Sequence, residues 1–400
     1  MSFPVIETPK ELRKSLEIYR DIFTKPQFNH FRNLITGLIV SDNKTLQEIN
    51  DCFGEKDQSS LNRFMTCSDW DEKEVEKVRM NQIKKLKPSK GFLIVDPTML
   101  HKTGKKIEKA NYYYSGTTKE KEWGHLLVNS FFTNDQVSFP VNADIYLRIG
   151  DADKEHKFKT SREICIEHID YALENKLPVD AVLMDAGLYA DYVLKHIKSM
   201  KINYVVGINS ATKISIGGQE RISIANYLSR LDKKDFKKFK INGEIYFLHS
   251  MEIYTRGVGK EKLLISYKKG DEKVIKLYVT NILNRTDKEL MNILLKRWDI
   301  EGLHRDAKQH LGLEDYQVRK FGAIQKVVRA VLVAYTQLVL NVEQKILEPL
   351  KRPIKTIGEG CRFFRLIAIK GWRWIKRKTR SKSNLKDIMN RFVFVKNAKV

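Results

Sequence analysis

The chain has 400 residues, of which 42% are hydrophobic and 10% aromatic, enough for two or three globular domains with a real core. Its 73 lysines and arginines exceed its 49 aspartates and glutamates, so the net charge of +24 predicts a polyanionic partner: nucleic acid, an anionic membrane surface or an acidic protein. The N-terminus has no signal pattern and no run of about 18 uncharged apolar residues occurs, which predicts a cytoplasmic protein without a membrane span. No C-x-x-C pair occurs, so neither a zinc knuckle nor a disulfide framework is predicted.

Residues 1–88 are predicted to form an all-helical DNA-binding region. Apolar residues recur at intervals of three and four between Glu11 and Leu86, and no β-branched alternation competes with that spacing. The segments KTLQEINDCFG and KDQSSLNRFM predict two helices around a Gly-containing turn, with a cap near Asp57 to Ser59. A helix-turn-helix that reads DNA and a simple packed helical hairpin both fit this pattern.

A sheet is predicted to begin after Lys87 to Gly91, within the segment 89–208. The apolar run Phe92 to Val95 predicts a buried strand that ends at Asp96, and Asn134-Asp135 predicts the turn of a hairpin between strands 125–133 and 137–147. A helix at 161–175, a strand at 181–184, a helix at 189–200 and a strand at 204–208 follow. Three antiparallel strands followed by βα units are the ribonuclease-H-like order, so we predict an α/β (α+β) mixed sheet.

The remainder of the chain is predicted to contain an insertion, further helices and a basic tail. Segments rich in β-branched and aromatic residues predict a β-rich insertion at 209–284. In the segment 285–345, one helix is predicted from a capping box at Thr286 and Glu289 to a stop at Gly312, followed by a buried apolar helix. The helical tail 346–400 mixes cations with aromatic rings, typical either of DNA contact or of an amphipathic helix with a wet basic side; these residues are Lys370, Trp372, Arg373, Trp374, Lys376, Arg377, Lys378 and Arg380.

Two aspartates follow predicted core strands. Asp96 comes after the first strand and Asp185 after the strand 181–184, so both are expected at the same end region of the sheet, where strands hold reactive groups rigidly. Each aspartate taken alone is better explained as a turn former or a helix cap.

A third acidic residue strengthens the case for a reactive site. On the helix predicted from Thr286, a spacing of four, three and four residues places Arg297, Glu301, His304 and Lys308 on one face. An adjacent apolar stripe would anchor that helix on the sheet and present Glu301 to the aspartates; it consists of Ile300, Leu303, Ala307 and Leu311. A solvated charged face with an Arg–Glu pair is the alternative.

Three carboxylates suit phosphodiester chemistry. Two Mg²⁺ ions about 3.5–4 Å apart stabilise the attacking and the leaving oxygen, and such hard cations prefer oxygen ligands. Without cations the carboxylates would repel one another and raise their own pKa values.

These motifs resemble those of insertion-sequence DDE transposases that carry a β-strand insertion in a ribonuclease-H-like domain. Arg297, Glu301 and Lys308 match the R-(3)-E-(6)-K part of that family's signature, Asp96-Pro97-Thr98 resembles its first aspartate block, and DAGLYAD resembles its second. The head segments HFRNLITGLI and SSLNRF also look like this family, so the resemblance extends to about residue 345. Leu294 stands where the signature has tyrosine, and Pro97 where a second acidic residue is common.

The resemblance implies an enzyme that cleaves element ends and joins them to target DNA. Asp96, Asp185 and Glu301 would be catalytic and would bind two Mg²⁺ ions, which Mn²⁺ can replace. Double-stranded DNA, as terminal inverted repeats and target, would be the partner, and the chain would form a dimer on paired ends in the nucleoid-associated cytoplasm. The resemblance implies that Arg297 and Lys308 contact DNA phosphates near the cleaved bond. Lys102 and Lys105 are candidates for backbone-phosphate contact in the loop after the first strand, with solvated lysines as the alternative, and His304 and Arg305 complete the predicted DNA-binding residues.

Three other classes of protein are compatible with parts of this pattern. A ribonuclease-H-like nuclease without strand transfer would need the same triad, and a non-catalytic DNA-binding protein derived from a transposase would be expected to lack one of its carboxylates. The pairs Glu122-x-x-His125 and Glu301-x-x-His304 have the spacing of di-iron helix bundles, but the first pair lies in a predicted strand.

Overall fold

The computed structural model describes residues 5, 7–53, 58–115, 118–217, 221–342, 346–347 and 352–378. The chain forms two compact units that interleave along the sequence. We call the first the helical unit; it consists of Met1–Lys87, Met99–Leu127 and Leu303–Val400. We call the second the sheet unit; it consists of Pro88–Thr98 and Val128–Gly302.

Helices occur before, within and after the strands. They are α1 (Lys10–Leu16), α2 (Lys25–Val40), α3 (Leu46–Phe53), α4 (Gln58–Thr66), α5 (Glu72–Lys84), α6 (Ser161–Glu174), α7 (Asp191–Ser199), α8 (Ile224–Leu228), α9 (Asp287–Lys296), α10 (Asp299–Leu311), α11 (Phe321–Val342) and α12 (Ile357–Lys378). Short 3₁₀ helices cover Glu17–Ile22, Ile149–Asp151, Ala186–Leu188 and Lys233–Asp235.

The strands fall mainly between α5 and α9. They are β1 (Gly91–His101), β2 (Asn111–Tyr114), β3 (Lys121–Thr133), β4 (Ser138–Tyr146), β5 (Val179–Met184), β6 (Asn203–Gly207), β7 (Lys213–Ser215), β8 (Arg221–Ser223), β9 (Lys237–Ile241), β10 (Glu244–Thr255), β11 (Gly259–Lys268), β12 (Lys276–Thr280), β13 (Ile346–Leu347) and β14 (Arg352–Pro353).

Aromatic side chains and one long apolar helix form the core of the helical unit. Phe64 and Trp70 stack with ring centroids 5.6 Å apart, and Phe31 contacts the edge of Trp70. Helix α11 packs against α2 and α5, which confirms the predicted buried helix. By length and composition α11 could cross a membrane, but 72% of its most apolar window is buried inside the protein, as in a core helix.

Two predicted features of the helical unit are only partly described. Helices α3 and α4 match the two helices of the predicted helix-turn-helix, while Asp57 and the rest of the turn lie outside the described residues. Helix α12 confirms a helix after α11, but the side chains of the predicted basic tail from Lys370 to Arg380 also lie outside them.

Three parallel strands form the centre of the sheet unit. Strand β5 pairs in parallel with β1 and with β6, so Met184 lies opposite both Val95 and Val206. The paired residues are buried, as expected for short apolar runs covered on both faces. Strands β3 and β4 form the predicted hairpin, and the Asn134 side-chain oxygen accepts hydrogen bonds of 2.8 Å from the backbone N–H groups of Gln136 and Val137.

The predicted β-rich insertion extends this sheet. Strand β12 pairs antiparallel with β6 and places Tyr278 opposite Gly207; β11 then pairs with β12, and β10 with β11. The full strand order is β2-β3-β1-β5-β6-β12-β11-β10-β7-β8, with β4 on β3 and β9 on β10. The predicted class, a ribonuclease-H-like mixed α/β sheet with helices towards both ends of the chain, is confirmed.

The single helix predicted from Thr286 to Gly312 is wrong, because α9 ends at Lys296 and α10 begins at Asp299. The Arg297 and Trp298 N–H groups donate to carbonyls three residues earlier, at 3.3 and 3.2 Å, so the chain tightens into a turn between the two helices. The Asp299 carboxylate accepts a 2.8 Å hydrogen bond from the Thr133 hydroxyl at the end of β3, which fixes the start of α10. The predicted capping box and the stop at Gly312, whose φ is +73°, are confirmed.

Candidate active site

Asp96 and Asp185 lie side by side in the sheet unit. Val95 of β1 and Met184 of β5 are register partners, and each aspartate directly follows one of them. Asp185 comes after the last residue of its strand, as predicted. Asp96 does not, because β1 continues to His101 beyond its last pairing with β5. Asp96 therefore sits on a rigid strand at the point where the neighbouring strand leaves it.

The structure gives Asp185 no capping role. Its side chain makes no capping hydrogen bond to the 3₁₀ helix Ala186–Leu188 that follows it, and it is exposed. Gly207 at the end of β6 approaches this turn so closely that a β-carbon there would lie 2.7 Å from the backbone nitrogen of Ala186. The close approach fixes the turn that carries Asp185 against the neighbouring strand.

Arg297 and Glu301 lie in the same neighbourhood. The Arg297 side chain is only 11% exposed, its Nη1 atom lies 3.9 Å from Oδ1 of Asp96, and its guanidinium lies 4.9 Å from the centroid of the Trp298 ring. Glu301 is exposed in the first turn of α10. Although the helix is broken between them, Arg297 and Glu301 still act on each other and on Asp185 electrostatically.

The pKa values of Asp96, Glu301 and Arg297 are shifted by burial and by the charges of their neighbours. Burial raises the pKa of Asp96 to about 7; Arg297 opposes the rise, and the charges of Asp185 and Glu301 add to it. Burial also raises the pKa of Glu301, against the lowering effect of Arg297 and Lys276. Burial lowers the pKa of Arg297, but Tyr278 and the aspartates outweigh that effect and raise it. The site is thus a buried cation among mutually repelling carboxylates.

The donor chemistry of this site suits a hard cation, since carboxylate oxygens are the ligands that Mg²⁺ prefers. In the part of the chain that the structure describes, however, no group of three or more His, Cys, Asp or Glu side chains is arranged to hold a metal ion. Asp96, Asp185 and Glu301 therefore share a neighbourhood without being gathered into a finished three-ligand group.

The other predicted DNA-binding residues belong to the helical unit, and two of the lysines are engaged there. Lys308 donates to the Met99 carbonyl at 2.5 Å and pairs with Glu314 at 2.8 Å. Lys102 donates to the carbonyls of Glu314 and Tyr316, and burial lowers its pKa to about 8. These contacts fix the segment after α10 to the end of β1, which is a structural use of both side chains.

The remaining predicted contacts differ in exposure. His304 is buried, and burial followed by the charge of Lys308 lowers its pKa to about 3, so it is neutral at pH 7. Lys105 and Arg305 are exposed. Of the five predicted contacts in the helical unit, these two have the accessibility that phosphate binding requires.

Several residues beside the carboxylates were not predicted from the sequence. Tyr278 acts electrostatically on Arg297, and Lys276 acts in the same way on Glu301. Both residues lie on β12, the strand that joins the insertion to the central sheet. Trp298 lies between Arg297 and Glu301 in sequence and is 41% exposed. Tyr278, Lys276 and Trp298 all border a cavity of about 340 Å³. The cavity is also lined by Tyr246, Tyr267 and Lys268.

The structure does not support the di-iron alternative. Glu122 and His125 lie on strand β3, where residues three apart point to opposite faces, instead of on a helix. His125 is buried, with its ring nitrogens 2.8 Å from the Tyr316 hydroxyl and 2.9 Å from the Glu108 carbonyl. Glu122 and His125 therefore do not form a helical Glu-x-x-His motif.

Comparison with known proteins identifies the family. Residues 18–231 match the family model "DDE superfamily endonuclease", and residues 141–350 match "Archaeal putative transposase ISC1217". The chain is 27% identical over 230 residues to the probable transposase for insertion sequence element IS701 of Microchaete diplosiphon, covering 55% of this chain and 59% of that relative. The NurA nuclease from Sulfolobus solfataricus superposes with a TM-score of 0.25 at 11% identity, over 60% of this chain and 78% of that one. Each family model spans more than half of the chain, which therefore belongs to the DDE superfamily of endonucleases, among the insertion-sequence transposases.

Proposed function

We propose that this protein is a DNA transposase that cleaves the ends of its insertion element and joins them to target DNA. The observation that carries the proposal is the placement of Asp96 on β1 and of Asp185 directly after the neighbouring strand β5, within electrostatic reach of Glu301 and Arg297. Membership of the transposase family supports the same reading. The net charge of +24 suits a DNA partner.

Asp96, Asp185 and Glu301 are the residues that would hold two Mg²⁺ ions. When bound, the ions would neutralise charge on the attacking and leaving oxygens of the phosphodiester. Asp96 supplies a ligand on a rigid strand, whereas Asp185 and Glu301 supply exposed ligands that can adjust. The raised pKa values of Asp96 and Glu301 support a cation-binding role, because a bound cation favours their ionised forms.

Arg297 is the residue that would hold the scissile phosphate. It stays protonated at any pH of interest, and its guanidinium can donate two parallel hydrogen bonds to phosphate oxygens. Among the residues that the structure describes, its Nε has no hydrogen-bond acceptor, so donor capacity remains for a ligand. Its close approach to Asp96 would place that phosphate beside the carboxylates.

Two reactions would follow on the bound DNA. Water would attack the phosphorus at the element end, its P–O bond to the 3′ oxygen would break, and that oxygen would take up a proton. The freed 3′-hydroxyl would then attack a phosphorus of target DNA, lose its proton and displace a target 3′ oxygen, which would take up a proton. Two element ends must be paired for concerted insertion, so the chain would dimerise on DNA. It would act in the nucleoid-associated cytoplasm, where its DNA partner lies.

The test uses the full chain and duplexes carrying the inverted repeats that flank its gene. Wild-type protein with Mg²⁺ should cut the ends and join them to plasmid DNA. Asp96→Asn, Asp185→Asn and Glu301→Gln should each lose cleavage while still binding the duplex. Asp232→Asn is the matched control, because this aspartate is 73% exposed in the insertion and should leave cleavage unchanged.

The outcomes separate the alternatives. Cleaved ends without joined plasmid would identify a nuclease without strand transfer. Binding without any cleavage by the wild type would identify a non-catalytic DNA-binding protein. Full cleavage by any one of the three triad variants would remove that residue from the active site.

A further inference from the structure

The hairpin formed by β2 and the start of β3 presents aromatic and basic side chains on one face. Alternate residues of a strand share a face, so Tyr112 and Tyr114 lie about 7 Å apart on the same side of β2. The register sets Tyr112 opposite Trp123 and Tyr114 opposite Lys121. Tyr112 is 46% exposed and Tyr114 is 68% exposed, so both rings are open to a ligand.

The loop before the hairpin completes this face. Lys105 Nζ lies 4.3 Å from the centroid of the Trp123 ring and donates a 2.9 Å hydrogen bond to the Tyr112 hydroxyl. The Trp123 indole N–H donates to the Gly104 carbonyl at 3.0 Å, which fixes the loop to the hairpin. We call this surface the hairpin platform; it consists of Lys105, Tyr112, Tyr114, Lys121 and Trp123.

The platform lies in a positively charged segment. Residues 101–123 contain six lysines and three glutamates. Two of the glutamates are engaged within the unit: Glu108 accepts a 2.7 Å hydrogen bond from the Phe321 N–H, and Glu122 accepts one of 2.8 Å from the Thr118 hydroxyl. The exposed lysines are Lys105, Lys106, Lys119 and Lys121. The charge of this surface is complementary to a polyanion.

Protection of a strand edge explains the lysines of this surface but not its exposed tyrosines. Strand β2 is the first in the sheet order, and lysines on such a strand prevent pairing with other chains. Two exposed tyrosines on the same face work against that protection, because exposed aromatic rings favour association. Interleaved cations and aromatic rings are instead the composition of surfaces that bind single-stranded nucleic acid, where lysines hold phosphates and rings stack on bases.

We propose that the hairpin platform binds unpaired nucleotides of DNA. Tyr114 would stack on a base, and Lys105 and Lys121 would contact the adjacent phosphates. Bases in a duplex are already stacked, so the rings gain nothing from intact duplex beyond its backbone. The inference rests on the proposed action on DNA, since strand cleavage is what supplies unpaired ends, but the platform contains none of the candidate catalytic carboxylates.

The test measures binding without metal, so it does not depend on cleavage. The full chain in EDTA is titrated against fluorescein-labelled oligothymidylate of about 16 nucleotides and against an element-end duplex, with anisotropy as the readout. Tyr114→Ala should weaken oligothymidylate binding about tenfold and leave duplex binding within about twofold. Tyr114→Phe should bind like the wild type, because it keeps the ring. Tyr192→Ala is the control, since this tyrosine is 48% exposed on α7 of the sheet unit.

A salt titration tests the lysines. Lys121→Ala should flatten the dependence of oligothymidylate affinity on salt by about 0.7 in the log–log slope, the value of one phosphate contact on a single strand. Unchanged oligothymidylate binding by Tyr114→Ala would overturn the proposal. Equal losses on oligothymidylate and duplex would also overturn it, in favour of a duplex-backbone contact. Either result would leave Mg²⁺-dependent cleavage by the wild type, and hence the proposed function, standing.

Discussion

Asp96→Asn should abolish catalysis and yet stabilise the protein at alkaline pH. The Asp96 side chain is only 18% exposed, and its pKa lies near 7 where the ordinary value is 3.8. A raised carboxyl pKa means that the fold favours the protonated form. The stabilisation associated with that proton is therefore complete below the unfolded pKa near 4 and is lost progressively as the pH rises to about 7.

The size of the effect follows from the two pKa values. One pKa unit corresponds to about 1.4 kcal/mol, so ionising Asp96 in the folded protein costs on the order of 4 kcal/mol in stability at pH 8. At pH 5 about a third of that loss has already occurred, because the unfolded carboxyl is ionised there. The stability advantage of Asp96→Asn over the wild type should thus grow by about 2–3 kcal/mol between pH 5 and pH 8.

Differential scanning calorimetry in EDTA measures this difference. For a unit of this size, 1 kcal/mol shifts Tm by about 2–4 °C, so the Tm advantage of the variant should grow by about 5–10 °C from pH 5 to pH 8. Comparing the two proteins at each pH cancels the titration of all groups that they share. Asp232→Asn should show no growing advantage. Mg²⁺ added at pH 8 should raise the Tm of the wild type more than that of Asp96→Asn, because binding to the native state stabilises it.

A dominant attraction between Asp96 and Arg297 would reverse the predicted stability difference. If attraction to Arg297, 3.9 Å away, dominated over burial and carboxylate repulsion, Asp96→Asn would be less stable than the wild type at pH 8. A Tm difference that is negative at pH 8, or equal at pH 5 and pH 8, would refute the reasoning.

Two further substitutions test the scaffold. Gly207→Val should slow end cleavage by about 100-fold and leave metal-free duplex binding intact. The β-carbon of the valine would lie 2.7 Å from the Ala186 nitrogen and would displace Asp185. Cleavage near the wild-type rate would contradict this prediction. Arg79→Ala should cost about 3–5 kcal/mol of unfolding free energy in urea, because Arg79 is fully buried and its loss removes the cation that pairs with the buried Glu76 carboxylate. A cost below about 1 kcal/mol would contradict a stabilising role of this ion pair.

The central strands and their aspartates could be predicted from the sequence because the signals are local. Short apolar runs such as Phe92 to Val95 specify buried strands, and an aspartate after each run marks the end region of the sheet. The parallel register then brings Asp96 and Asp185 together without further information. The extension of β1 to His101 could not be predicted, because Pro97 and the polar residues after Val95 lack a strand pattern.

The break between α9 and α10 depends on contacts that sequence spacing does not contain. Neither glycine nor proline occurs between Lys296 and Asp299, so the local pattern favours one continuous helix. The Thr133 hydroxyl, more than 160 positions away in sequence, fixes Asp299 at the start of α10. Burial of Arg297 beside Asp96 is likewise a contact between distant segments.

Lysines show the limit of predicting function from charge. Lys102, Lys105 and Lys308 look alike in sequence, but carbonyl oxygens of Glu314, Tyr316 and Met99 accept hydrogen bonds from two of them. A lysine that satisfies backbone carbonyls contributes to the fold and leaves that network only at a cost, because the carbonyls would lose their partner. Lys105 instead lies exposed over aromatic rings, where its charge is available to a phosphate. The distinction between a structural and a DNA-binding lysine is therefore set by the acceptors around it, and these come from segments that only the fold brings near.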